Sequence, residues 1–235
     1  MKKATTDKKQ IAYGRLKEFI LDYRVEPGQR LEHEYLSKLI GVSYTPIREA
    51  LNQLLEEGYV YQIQNRGYFV SKLSSEEIVE LYELREALEV YALKKVLTQA
   101  QIINKMILHN LKEMFNKYAD SAREGTFRKR LFLDQEIHMT LAKLSGNHRL
   151  VKSLGDIFER VNYKRRVVGL YPERGPEASA EHFGIYKHIR QKNIEQALSC
   201  LSDHIVKGKE KLLELLKDRE ENLKYYHERE QISLV

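Results

Sequence analysis

Gly41-Val42-Ser43-Tyr44-Thr45-Pro46-Ile47-Arg48-Glu49-Ala50-Leu51 decides how the first part of the chain folds. The stretch reads as a tight turn feeding a short amphipathic helix. Gly41 supplies the left-handed backbone that ends a preceding helix. Ser43 is placed to cap the next one by accepting a backbone N–H bond. Pro46 falls in the first turn, where its missing N–H leaves no intrahelical bond unmade. Ile47, Ala50, Leu51, Leu54 and Leu55 follow the helical period and form one apolar stripe. The opposite face offers Tyr44, Thr45, Arg48 and Asn52, all able to hydrogen-bond or stack. A helix buried on one side with that outer face suits insertion into a DNA major groove.

Its neighbours strengthen that reading. Upstream, residues 1–8 are polar, and a helix is expected over 9–23 with Ile11, Leu16, Phe19 and Ile20 on one face. Val25-Glu26-Pro27-Gly28 breaks it, Arg30-Leu31 can pair briefly as a strand, and a second helix over 32–40 buries Leu36, Leu39 and Ile40. Downstream, the opening helix stops at Gly58. Tyr59-Val60-Tyr61-Gln62-Ile63 and Tyr68-Phe69-Val70 then flank Gln64-Asn65-Arg66-Gly67, which reads as a β-hairpin. Three helices and a hairpin make a winged helix-turn-helix domain over residues 1–73.

From residue 74 the composition shifts to long helices. Ser74 and Glu77 have the spacing of a capping box. The helix they open runs through Ile78, Leu81, Leu84, Leu88 and Tyr91 to residue 97. Further helices are expected over 99–123, 127–145, 148–170, 177–191 and 194–217. Glu124-Gly125-Thr126, Ser145-Gly146-Asn147, the segment from Pro172 to Pro176, and Lys192-Asn193 separate them. The fold class is therefore mainly α, a winged helix followed by an all-α bundle over 74–235. The charged stretch 218–235 extends the last helix or hangs free.

Composition narrows the function classes. With 42% hydrophobic and 31% charged residues the chain is globular, not disordered. Up to residue 75 there are 12 Lys+Arg against 9 Asp+Glu, and after it 28 against 25. Both parts are basic, and the shorter one has the denser positive charge, which tilts an anionic partner towards the winged helix. A lone cysteine, Cys200, rules out an intramolecular disulfide and reads as a buried apolar residue in a reducing compartment. No apolar run approaches the roughly 20 residues needed to cross a bilayer, so no membrane partner is expected and the location is cytoplasmic. Neither Gly-x-Gly-x-x-Gly, Gly-x-x-x-x-Gly-Lys nor Gly-x-Ser-x-Gly occurs.

Within the bundle, Asp134 and His138 stand four residues apart and project from one helix face. With His182 and His204 they have the chemistry to surround a divalent transition metal. Spacing alone equally allows a surface Asp–His hydrogen bond and solvated histidines. Arg85 and Glu89 form either an intrahelical ion pair or, with Arg85 turned inward, a planar fork for a carboxylate. Arg160 and the run Lys164-Arg165-Arg166 offer the same fork or a solvated face.

Several of these segments resemble the GntR family's winged-helix domain. They are Pro27-Gly28-Gln29-Arg30-Leu31, Leu36 to Ser43, Thr45 to Leu51, Leu55-Glu56-Glu57-Gly58 and Asn65-Arg66-Gly67. Leu84-Arg85-Glu86-Ala87-Leu88-Glu89, Asp134-Gln135-Glu136-Ile137-His138, Ser145-Gly146-Asn147, Glu181-His182 and His204 resemble its FCD-type ligand-binding domain, the FadR-like branch. The resemblance spans about residues 9–215. It implies a homodimeric bacterial transcription factor on a short palindromic operator, with Arg48, Arg66 and Gly67 at the DNA. It also implies a metal held by Asp134, His138, His182 and His204, zinc first, with nickel or manganese as alternatives. A small carboxylate effector would bind there, with Arg85 and Arg160 as candidate partners. Two positions depart from the family pattern: Tyr44 stands where arginine is usual, and Glu34 where relatives are often basic.

The expected function is thus a sequence-specific DNA-binding transcription regulator, a repressor, whose operator affinity responds to a small organic acid at the metal site. Base contacts fall to Arg48, Tyr44 and Asn52, with Thr45 a further DNA-binding residue, and wing contacts to Arg66 and Gly67. The alternatives are a metal-dependent enzyme acting on small carboxylates, and a winged-helix regulator whose metal is purely structural.

Overall fold

The computed structural model describes residues 2–22, 24–99, 103–168 and 174–232. Residue 23 at the end of the first expected helix, residues 100–102 within the one expected over 99–123, residues 169–170 at the end of the one expected over 148–170, residues 172 and 173 of the separator, and residues 233–235 lie outside the described residues. The chain divides into two compact units after Ser74.

The first unit holds α1 (Lys2–Leu21), β1 (Arg30–Leu31), α2 (His33–Ile40), α3 (Tyr44–Glu56), β2 (Val60–Ile63) and β3 (Gly67–Val70). Helix α1 starts several residues before the expected one. It packs on α3, and Ala12, Leu16 and Ile20 are buried in the same core as Ile47, Ala50, Leu51 and Leu54. Gly41 ends α2 at φ 77, and its N–H donates to the Ser37 carbonyl. Ser43 has the extended backbone of an N-cap, but its side chain makes no capping bond. Leu39 and Ile11, expected in the core, are 40% and 42% exposed. The helix faces are rotated so that Leu36, Ile40, Ala12 and Leu16 do the packing instead.

Two polar staples fix the three helices. The Tyr13 hydroxyl and Lys17 Nζ reach the Glu57 carboxylate at 2.8 and 3.1 Å, and Gln53 Nε2 adds a bond at 3.2 Å. Arg15 Nη1 donates to the Ile40 carbonyl at 2.8 Å, satisfying the end of α2. The wing is a three-stranded antiparallel sheet in the order β1-β3-β2. Its register pairs Tyr61 with Phe69 and Ile63 with Gly67, and the Tyr61 and Phe69 rings stack with centroids 5.5 Å apart. Asn65, at φ 62, and Gly67, at φ 94, carry the turn. Asparagine tolerates that region through its short polar side chain, and glycine has no Cβ to clash.

The regular elements of the second unit, among its described residues, are all helices: α4 (Ser75–Thr98), α5 (Lys105–Glu124), α6 (Phe127–Leu144), α7 (His148–Val168), α8 (Gly175–Arg190) and α9 (Ile194–Ile232). Asn104 and Thr126 cap α5 and α6 through their side chains. Helix α4 packs on α6, α7 and α9, and α8 packs on α5 and α9. Leu93, Val96, Phe115, Phe158, Ile185 and Ala197 are essentially inaccessible. On α4 the buried face is Ile78, Tyr82, Arg85, Glu89, Ala92 and Val96, while Leu84 and Tyr91 point outward. Glu77 accepts from Arg160 Nη2 at 2.8 Å and Lys164 Nζ at 2.5 Å, joining the start of α4 to α7. Cys200 is half-buried.

Candidate functional site

In the first unit the outer face of α3 is open. Thr45, Arg48 and Asn52 are exposed, as is Arg66 at the wing turn, and Tyr44 is 54% exposed. Tyr44, Arg48 and Asn52 follow at four-residue intervals, so they line one side of the helix. The Tyr44 ring stacks on His33 of α2, centroids 4.5 Å apart and planes at 24°. The His33 ring in turn meets Tyr68 of β3 edge-on at 5.8 Å, and the Tyr68 hydroxyl donates to Asn52 Oδ1. The structure therefore leaves Tyr44, Thr45, Arg48, Asn52 and Arg66, all named from sequence, open to a partner. Sequence reading missed His33 and Tyr68 behind them.

In the second unit, α6, α8 and α9 converge on a cluster of four buried side chains: Asp134, His138, His182 and His204. One donor atom from each lies within 4.8 Å of all the others. His138 Nε2 is 3.2 Å from His204 Nε2 and 3.5 Å from His182 Nε2. Asp134 Oδ1 is 3.7, 3.5 and 3.8 Å from the Nε2 atoms of His138, His182 and His204. Four ligands about 2.1 Å from one zinc ion would stand roughly 3.4 Å apart at tetrahedral angles. Both the donor set and its spacing fit such an ion.

The surroundings prepare these donors. Burial pushes the Asp134 carboxyl up, but the Arg165 guanidinium, with His138 behind it, holds it well below the usual carboxylate range. Arg165 Nη1 donates to Asp134 Oδ2 at 2.8 Å, leaving Oδ1 towards the histidines. Burial and the charge of the neighbouring imidazole hold His182 well below its ordinary value. Burial likewise brings His204 down to about 4, against the opposing hydrogen bond to Glu181. Both rings are therefore neutral at neutral pH, each with a lone pair to give. His138 differs: burial lowers it, but the Glu89 charge together with hydrogen bonds to Asp134 and Glu89 raises it above its ordinary value.

Outer carboxylates fix two of the rings. His138 Nδ1 hydrogen-bonds Glu89 Oε2, and His204 Nδ1 hydrogen-bonds Glu181 Oε2 at 2.8 Å. Each leaves Nε2 facing the cluster, the arrangement that orients histidine ligands in metal sites. Glu89 also accepts from Arg85 Nε at 2.5 Å. The Arg85 guanidinium lies 4.4 Å over the Phe158 ring, and its two Nη atoms have no hydrogen-bond partner among the described residues.

Asp134 and His204 open onto a cavity of about 70 Å³, also lined by Tyr118, Arg130, Arg165, Arg174 and the apolar Leu131 and Leu212. Gly175 makes room for one of its cations: a Cβ there would stand 3.0 Å from Arg130 Nη1 and 3.1 Å from the Ala122 Cβ. Arg85 is not on the cavity wall; it reaches the cluster by way of Glu89. Arg160 is not brought to the site, because its guanidinium is held by Glu77. Lys164 and Arg165, which could have formed a solvated face, are buried. A signal for Arg165 exists in the sequence: it continues the stripe of Leu154, Phe158 and Val161. Glu89 likewise continues the stripe of Ile78, Tyr82 and Arg85.

A winged helix-turn-helix followed by a helical bundle around such a donor set defines a DNA-binding transcription regulator. The pattern of bacterial regulatory proteins of the gntR family matches residues 8–70, and that of the FCD domain matches residues 80–207. The chain belongs to the GntR family, in its FCD-domain branch. It is 29% identical over 197 residues to the Nta operon transcriptional regulator of Aminobacter aminovorans, covering 84% of this chain and 90% of that protein. It is 28% identical over 210 residues to the HTH-type transcriptional regulator YdhC of Bacillus subtilis, covering 89% and 93%. Among solved structures, a GntR regulator from Rhodococcus sp. RHA1 superposes with a TM-score of 0.70 at 21% identity, covering 88% of this chain and 98% of that one. E. coli McbR/YncC superposes at 0.69 with 18% identity, covering 88% and 97%. A metal-free FCD domain of TM0439 matches at 0.53 with 19% identity, covering 63% and 99%. These relatives are transcription regulators, not enzymes. No helix among the described residues is long and apolar enough to cross a membrane.

Proposed function

We propose that the protein is a homodimeric cytoplasmic repressor whose affinity for a palindromic operator is set by a small organic acid bound beside a divalent metal. Residues 1–73 serve as the DNA-binding domain and 74–235 as the effector-binding and dimerisation domain. Arg48, Tyr44, Thr45 and Asn52 contact bases or backbone in the major groove, and Arg66 and Gly67 contact the minor-groove side or phosphates through the wing. Asp134, His138, His182 and His204 hold the metal, zinc first, with nickel or manganese as alternatives. When bound, the metal supplies a Lewis-acid centre for a carboxylate oxygen.

The observation that carries this reading is the charge of the cavity. Among the described residues of its lining Asp134 is the one carboxylate, against Arg130, Arg165, Arg174 and Lys211. Such a wall favours an acid, and Leu131 and Leu212 suit a short apolar portion. Arg85 acts through Glu89 on His138 rather than by gripping the acid. Dimerisation fixes the half-site spacing, and the acid alters DNA affinity only by binding two arrangements of the dimer unequally.

The test is thermal-shift screening of mono-, di- and tricarboxylates against metal-free protein and protein reloaded with zinc, nickel or manganese. Active acids then go into operator titrations followed by fluorescence anisotropy. The expected result is stabilisation that needs the metal, together with a changed operator affinity. A purely structural metal is the second reading, favoured by four protein donors at spacings that would fill a tetrahedral ion. It predicts metal-dependent stability with no acid altering DNA binding.

A further inference from the structure

Tyr44 is the first residue of α3, and more than half of its side chain is open. Such a ring would ordinarily sample several rotamers, each a different edge offered to DNA. Here one face is covered. The His33 imidazole lies against it at 4.5 Å and 24°, an offset-stacked geometry. His33 is itself held: Tyr68 meets it edge-on, the Tyr68 ring is 4% exposed, and its hydroxyl is tied to Asn52. The result is a brace running from β3 through the start of α2 to the tip of the recognition helix. Burial and the Arg48 charge keep His33 below its ordinary value, so it stays neutral and does not repel the arginine beside it.

From this geometry we infer that His33 is a positioning residue for base readout: it holds the Tyr44 ring so that the open edge meets a thymine methyl in each half-site. This rests on the DNA-binding reading of α3. The single phenolic hydroxyl can make one bond but not a bidentate pair, whereas the carbon edge of the ring packs best on the apolar C5-methyl, the feature this edge is set to discriminate. His33 need not touch DNA. Its contribution is to remove the alternative ring orientations, which would otherwise spread the preference over several bases.

The experiment uses the full-length chain. Operators are first selected from a randomised duplex library, and the base pair whose preference disappears in Tyr44→Ala is located. Binding is then measured on that operator and on one with uracil replacing the thymine, for wild type, His33→Ala and His33→Phe. Burial of one methyl corresponds to roughly a fourfold preference for thymine over uracil. Wild type and His33→Phe, which keeps a stacking ring, are expected to retain that preference. His33→Ala is expected to fall below about half of it while still binding the rest of the operator. The inference is overturned if His33→Ala discriminates like wild type, or if His33→Phe loses as much as His33→Ala. A wild-type chain that enriches no sequence refutes the DNA reading itself, a different and visible failure.

Discussion

Replacing Glu89 by glutamine tests how the donor cluster is held together. Glu89 is 3% exposed and accepts from both Arg85 and His138. Burial pushes its carboxyl up, but the Arg85 and His138 charges outweigh burial and bring it from 4.5 to about 2. A gap of that size corresponds to about 3 kcal/mol of folding free energy, in line with the roughly 3–5 kcal/mol lost when one partner of a buried ion pair is removed. The sign follows from the depressed value. The stabilisation is fully present above pH 4.5 and is lost as pH falls towards about 2. Urea denaturation of metal-free wild type and Glu89→Gln, followed by circular dichroism, should therefore give a gap of about 3 kcal/mol at pH 7 that narrows steadily below pH 4.5. Zinc affinity, read by competition with a chromophoric chelator, should drop roughly 10–100-fold because His138 loses its outer carboxylate. A stability gap that stays constant with pH, or wild-type zinc affinity, would refute the reasoning.

Other perturbations separate the two units. Arg48→Ala should weaken specific operator binding by about 1–3 kcal/mol, with undiminished affinity in an anisotropy titration counting against the proposed groove helix. His138→Ala combined with His204→Ala should abolish near-stoichiometric divalent metal, measured by elemental analysis of untagged protein. Leu51→Ala, at a fully buried position on α3, should destabilise the winged helix by about 2–5 kcal/mol, read by denaturation of the variant beside wild type.

Local rules made the winged helix legible. Gly41, Pro46, the stripe from Ile47 to Leu54 and the Asn65-Arg66-Gly67 turn each specify backbone that the structure adopts. Where periodicity was weak the reading slipped: Leu39 and Ile11 are apolar yet exposed, because neighbours on the same helices satisfy the core first. The Asp134–His138–His182–His204 cluster was only half legible from spacing. Asp134 and His138 share a helix face, but His182 and His204 reach them through the packing of α8 and α9, which no local pattern encodes. The resemblance to the GntR family supplied that step. Arg165 was obscured by its charged neighbours, since a run of Lys-Arg-Arg usually faces water. Arg160 failed in the opposite way, an inward partner being assigned to a side chain that Glu77 already holds.

Glu181 has a consequence that reaches past orienting one ring. The same carboxylate oxygen accepts from His204 Nδ1 at 2.8 Å and from Arg174 Nη2 at 3.0 Å, and Arg174 lines the cavity. An acid that draws Arg174 towards itself relaxes the competition for that oxygen, and the His204 imidazole becomes a stronger electron donor. Metal and acid would then report on each other through this carboxylate as well as through the carboxylate oxygen the metal would bind. Linkage makes the effect reciprocal: whatever factor the acid adds to metal retention, the metal adds to acid retention. A regulator wired in this way would respond to the product of two cellular concentrations and stay silent when either is scarce.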